Sequence, residues 1–196
     1  MNGRVLYVSK DKVIFESPPC TRMVAISGGT IKDDASNRHK FLSFPYVQYT
    51  LRKIPSAAYR YAHVDNHHGI KAAFHATVSN TPMTSMDDDV HLMPLPHCFD
   101  DSSFCMHPDL KKCKTLPEML EASIADFWRS HFSHATSFAG HHALADSSLK
   151  NYKSWEEKSK KDPGFILGVK WAYPLKISKL PYQPYKLTTH GNSYDV

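Results

Sequence analysis

The hydrophobic period of this chain changes once, and the change sets its fold class. From Tyr46 to Val78, apolar and polar residues alternate through three β-rich runs, "YVQYTLRKI", "AYRYAHV" and "IKAAFHATV". Pro55-Ser56 and the segment from Asn66 to Gly69 separate them with turn chemistry. Runs of period two at this spacing predict an antiparallel meander. Further on, the period becomes 3.6. Leu116, Met119, Leu120, Ile124, Phe127 and Trp128 recur at intervals of three and four, so one helical face is apolar. The "TLPE" sequence from Thr115 to Glu118 is a capping box. Its Thr hydroxyl takes one free N–H of the first turn, and its Glu carboxylate reaches back to another. Helix is therefore predicted over Leu116 to Arg129, ending between Ser130 and His134. Strands followed by helix give an α+β domain, an antiparallel meander packed on helices.

Around this centre the chain divides into residues 1–40, an N-terminal β-hairpin and strand extension, and residues 41–196, the main domain. Val5, Tyr7, Val13 and Phe15 alternate about the turn "SKDK", and "RMVAIS" is a third short strand ended by Gly28-Gly29. Asp33 to Lys40 is polar and reads as a short helix or a loop. "SNTPMTSMDDD" is a loop, and "VHLMPLP" a short extended run. A second helix is predicted from Ser147 to Lys160, with Leu149, Tyr152 and Trp155 on one side and Asp162-Pro163-Gly164 as its stop. "FILGVKWAYPL" reads as a late buried strand or a docked extended segment, and the Pro- and Tyr-rich end as a surface tail.

Composition excludes some functions. No apolar run reaches the ~18 to 20 residues that span a bilayer, and the first residues lack a signal peptide's apolar segment. The expectation is a cytoplasmic protein without a membrane partner. The formal charge of +5 is mild, and the basic runs "LKKCK" and "EEKSKKD" are not interleaved with aromatics. A nucleic-acid partner is therefore not expected. The 13 histidines are scattered, which argues against a metal-storage tract.

The chemistry concentrates in "LPHCFDDSSFCMH", Leu95 to His107, between the strands and the capped helix. Three readings compete. His97, Cys98, Cys105, His107 and Cys113 supply enough ligands for zinc, but there is no C-x₂-C knuckle, and adjacent His97 and Cys98 cannot easily hold one ion from opposite sides. Cys98 and Cys113 also fit buried, inert thiols. Cys105 fits a nucleophile on a partly exposed polar loop, with His97 and His107 as candidates to donate a hydrogen bond or move a proton. A papain-like arrangement is not suggested, because Cys105 lies ten residues before the capping box rather than at a helix N-terminus.

The nucleophile reading carries a resemblance. Ubiquitin-conjugating enzymes place their active cysteine eight residues after the Asn of a His-Pro-Asn motif. Here "LPH" takes that motif's place, His97 stands at the Asn position, and Cys105 follows eight residues later. "DSSFCM" matches the family's Asn-Gly-x-Ile-Cys-Leu in type, with Ser102 where glycine is usual. The order of meander, motif, cysteine loop and helix also agrees. So does the aromatic-rich "FWRSHFSH" from Phe127 to His134, which resembles the prokaryotic ubiquitin-conjugating-like proteins of family D, the group of the PRTRC plasmid system's protein B. The resemblance spans about residues 45 to 134.

It implies a ubiquitin-conjugating-like fold in which Cys105 accepts a modifier's C-terminus as a thioester and passes it to an amine. His97 would stabilise the oxyanion, while Asp100, Asp101 and His107 orient the incoming substrate. Exposed carboxylates raise a lysine's pKa, so orientation rather than activation is their role. No cofactor is implied. The implied partners are a ubiquitin-like modifier protein, an activating (adenylating) enzyme and a JAB-type peptidase of the same system. The family's N-terminal helix is not visible, and the hairpin and strand stand in its place. A non-catalytic domain of the same fold that binds a partner protein is thus the alternative, and a zinc-binding module the third.

Overall fold

The computed structural model describes residues 2–27, 39–54, 64–65, 70–100, 102–104, 108–133 and 139–179. β1 (Arg4–Val8) and β2 (Lys12–Ser17) form the N-terminal hairpin, closed where the Ser9 N–H meets the Lys12 carbonyl at 2.8 Å. β3 (Cys20–Ser27) and β4 (His39–Phe44) pair antiparallel, so part of the Asp33 to Lys40 segment belongs to a strand. The meander follows as β5 (Tyr46–Lys53), β6 (Val64–Asp65), β7 (Lys71–Ser79) and β8 (Asp89–Leu92). Most of "AYRYAHV" lies outside the described residues.

Next come α1 (Leu116–Arg129), β9 (His131–Ser133), α2 (Ala139–Asp146) and α3 (Tyr152–Lys161). β10 (Pro174–Lys176) ends the described strands. The larger sheet runs β1-β2-β5-β7-β8-β10, with β6 also beside β7. The smaller one runs β4-β3-β9, and β9 joins it parallel to β3. The molecule is α+β with antiparallel pairing dominant, and among the described residues no helix is long and apolar enough to cross a membrane.

Register makes the two faces of the larger sheet different. On one face Val13, Leu51 and Phe74 lie across from one another, as do Phe15, Tyr49 and Ala76. These residues belong to or pack on the main apolar core, which includes Leu120, Ile124 and Phe127 of α1. On the other face the matching rows are Ile14, Thr50 and His75, then Glu16, Gln48 and Thr77. All six are buried. Buried polar groups need partners, and here they find one another. Gln48 Nε2 donates to Glu16 Oε2 at 2.9 Å and to Ser79 Oγ at 2.8 Å, Arg4 donates to Glu16 Oε1, and the Met83 N–H donates to Glu16 Oε2 at 2.9 Å.

α1 begins and ends where its sequence signals. Thr115 Oγ1 accepts from the Glu118 N–H, and the Glu118 carboxylate accepts from the Thr115 N–H at 3.2 Å. Phe127 sits in an aromatic nest, edge-on to Phe104 and Trp128, each at 4.9 Å between centroids, and to Phe132 at 5.3 Å. Trp128 is half-buried rather than buried. Its indole N–H donates to Tyr49 Oη at 2.8 Å, and the Arg22 guanidinium lies over its ring. A polar handle on a large ring explains this position at the core's margin.

α3 starts later than the period alone indicates, because Asn151 caps it by accepting the Ser154 N–H at 2.9 Å. Trp155, fully buried, donates to the Ser43 carbonyl at 2.8 Å and ties α3 to β4. "FILGVKWAYPL" does not form one strand. Asp162 Oδ1 accepts the Gly164 N–H at 2.9 Å, and Pro163 opens a short 3-10 helix, Pro163–Gly168, before the chain extends into β10.

Candidate functional site

The loop between β8 and α1 is built from two successive tight turns. In the first, the Cys98 N–H reaches back to the Leu95 carbonyl at 3.4 Å. Pro96 holds the second position and His97 the third, where φ is +67°. Proline followed by a positive-φ residue is the type II pattern, which favours glycine or asparagine at the place His97 occupies.

The second turn is a miniature hairpin. The Ser102 N–H donates to the Phe99 carbonyl at 3.0 Å, and the Phe99 N–H donates to the Ser103 carbonyl at 2.9 Å. Cys98 and Phe104 bridge antiparallel behind it. Ser102, last in the three-residue turn, has φ +66°. This bonding is that of a three-residue hairpin whose final position is left-handed, ordinarily a glycine. Serine thus adopts the conformation of the glycine it stands in for, and its surroundings hold it there.

Those surroundings are extensive. The returning arm, Ser102 to Phe104, adds to β7: the Ala76 N–H donates to the Ser102 carbonyl at 3.2 Å, and the Phe104 N–H to the Phe74 carbonyl at 3.1 Å. Phe104 is buried against Phe127. On the other arm, the Gly140 N–H of α2 donates to the Cys98 carbonyl at 3.1 Å. A Cβ at Gly140 would lie 1.9 Å from the Leu95 carbonyl oxygen, so only glycine lets the helix approach this closely. Tyr152 of α3 donates to the Pro94 carbonyl at 3.1 Å.

His97 is half-buried, its ring 6.1 Å from that of Phe132, and desolvation lowers its pKa from the usual histidine value. It is therefore predominantly neutral at pH 7, the state in which one ring nitrogen donates and the other accepts. Asp100 is half-buried at the hairpin's tip. Cys105, Asp101 and His107 lie outside the described residues.

Of the three other cysteines Cys20 is half-buried on β3, and the remaining two are shielded from solvent. Cys98 is fully buried with its sulfur near the Phe99 carbonyl. Cys113 is buried, and burial followed by the Glu118 and Asp109 carboxylates raises its thiol pKa. Both environments suit inert thiols. Among the described residues no group of three or more His, Cys, Asp or Glu side chains is placed to hold a metal ion.

His75, Gly140 and Tyr152 support the loop, and of these the sequence marks only Tyr152, as part of the apolar side of the second predicted helix. His75 sits inside the run "IKAAFHATV", where an inward histidine looks like any strand residue. Gly140 carried a faint signal, a glycine at the head of the short helical stretch "AGHHALAD". No family model matches this chain, and neither a curated protein nor a solved structure is found similar to it.

Proposed function

We propose that the protein is a ubiquitin-conjugating-like transferase with Cys105 as acceptor. The observation that supports this most is the pair of left-handed, non-glycine residues, His97 and Ser102, within the eight positions before Cys105. Each costs about 1–2 kcal/mol relative to ordinary backbone. Such strain persists only where the surrounding fold over-determines it, and it concentrates at functional sites. Lys150 and Tyr173 share this backbone state elsewhere; what sets His97 and Ser102 apart is that both lie in one loop anchored to β7, α2 and α3 at once.

In this proposal the modifier's C-terminal carboxylate first attacks the α-phosphorus of ATP on an activating enzyme, releasing pyrophosphate and leaving an acyl adenylate. The Cys105 thiolate attacks that acyl carbon, the C–S bond forms and AMP leaves. An amine then attacks the thioester carbonyl. The tetrahedral oxyanion collapses to an amide, the thiolate departs, and the amine's extra proton passes to solvent or a nearby base. The thioester is already reactive, so the protein's task is positioning and charge stabilisation. Neutral His97 offers an N–H to the oxyanion. Phe104, seated in the aromatic core, fixes the chain one residue before the sulfur.

The alternative is a non-catalytic domain of the same fold that binds a partner protein. Its supporting observation is the apolar edge strand β1, where Val5, Tyr7 and Val8 are exposed. Thiol labelling separates the two. With iodoacetamide on the folded protein, the transferase proposal expects Cys105 to be modified well before Cys98 and Cys113. Equal protection of all three would remove it in favour of the binding domain.

A further inference from the structure

Ser102 occupies a backbone conformation that serine disfavours, and its side chain is not idle. Its Oγ lies 3.3 Å from His75 Nδ1, with both residues buried. His75 stands on the polar face of β7, opposite Thr50 and beyond it Ile14. Ser103 bridges His75 directly across the strand pair. Ser102 is thus tied three ways: its N–H to Phe99, its carbonyl to the Ala76 N–H, and its hydroxyl to His75. A glycine in its place would adopt positive φ freely but would lack the third tie.

We propose that His75 and Ser102 are a pair of positioning residues. Their side-chain bond replaces the conformational freedom of glycine and fixes the left-handed turn that sets the hairpin's returning arm on β7. The functional meaning, a cysteine delivered in one place, rests on the transferase proposal; the structural coupling does not. The pair makes the loop's geometry depend on the sheet's polar face rather than on the turn's own sequence.

The test is amide hydrogen exchange, read by NMR on the full chain at the Phe99, Ala76 and Phe104 N–H groups that tether the hairpin. Ser102→Ala keeps the strained backbone and loses the bond. It should speed exchange at these amides about fivefold, the worth of one ordinary hydrogen bond. Ser102→Gly loses bond and strain together and should stay within about twofold of the parent. His75→Asn and His75→Leu leave nearly the same cavity, but only the Asn has a polar atom close to the place of Nδ1. The Leu variant should therefore exchange about fivefold faster than the Asn variant.

In the Ser102→Gly background that gap should vanish, because the partner is gone. Equal exchange in Ser102→Ala and the parent would overturn the proposal, as would an Asn–Leu gap that survives in the Ser102→Gly background. The Ser102 variants alone decide the matter if a His75 variant fails to fold. An adduct assay on the same proteins keeps the two ideas apart. Coupling without any thioester removes the transferase and leaves the pair, whereas a thioester without coupling does the reverse.

Discussion

The two faces of the larger sheet are buried alike, but the far one sets a polar row beside a smaller apolar cluster that includes Ile14 and Val90. Towards α1 lie Leu51, Phe74, Tyr49 and the aromatic nest around Phe127; on the far side lie Glu16, Gln48, Thr50, His75 and Thr77. Apolar burial is non-directional and tolerates small slips. A hydrogen-bonded row does not, since each displaced donor or acceptor is left unpaired at a cost of about 1–3 kcal/mol. The first face therefore supplies stability, and the second fixes register. The loop that leads to Cys105 draws on both. Phe104 goes into the apolar nest, and Ser102 onto the polar row.

The strongest way to break this comparison is at the apolar face. Phe127→Ala and Trp155→Ala should each cost about 3–5 kcal/mol in denaturant melts, as expected for fully buried aromatic rings. A loss below about 1 kcal/mol for both would mean that the helices are not the main anchor.

On the polar face, Glu16→Ala should cost about 2–3 kcal/mol, because Gln48 and the Met83 N–H lose their acceptor. The combined change of Glu16 and Gln48 to Leu should recover only the part of that loss due to the Gln48 amide. The buried Met83 N–H still lacks its acceptor. If the double variant proves worse than the sum of its parts, the row does more than fix register. Gly140→Ala comes next, at about 1–3 kcal/mol, because its Cβ meets the Leu95 carbonyl and α2 has to shift.

The smallest effect is on pH dependence. His97 and His91 both have pKa values lowered by desolvation. The unfolded chain therefore binds more protons than the folded one once pH falls below the ordinary histidine range, near ~6.5. Stability should be fully present above that range and decline below it, until the folded-state values are passed. His97→Asn, which accepts a left-handed backbone, should flatten part of this decline. An unchanged slope would assign it to His91 and the other groups.

The parts of this molecule that were legible in sequence are those whose cause is local. α1 runs over the predicted residues because a capping box, a proline and an apolar stripe all lie inside it. β5 and β7 follow from alternation alone. β4 is not legible because the polar segment before it obscures a strand that ends at Phe44, just before Pro45. The joining of β3 to β9 rather than to the hairpin's sheet depends on partners that no local pattern specifies. α2 is short and weakly amphipathic, and Asp162-Pro163 turned an apparent strand into a 3-10 helix.

The site divides in the same way. The spacing of His97 and Cys105 is a sequence fact, whereas "VHLMPLP" reads as extended through Pro96, where the structure turns. The left-handed state of Ser102 is not readable from a serine. Only the bonds to Phe99, Ala76 and His75 define it, and two of those partners lie more than twenty residues away.

In the proposed transferase a bond to the Cys105 sulfur carries the modifier, and His97 acts afterwards. The direct measurement combines the protein with a ubiquitin-like modifier, its adenylating enzyme and ATP, then separates the adduct with and without thiol. The parent should form an adduct that thiol cleaves. Cys105→Ser should form a thiol-resistant ester or none, since the serine oxygen is a poorer nucleophile. His97→Ala should slow discharge to free lysine more than it slows loading, because the oxyanion assigned to His97 is the one formed by amine attack on the thioester. A thiol-labile adduct that survives Cys105→Ser unchanged would place the bond on another cysteine and contradict the account.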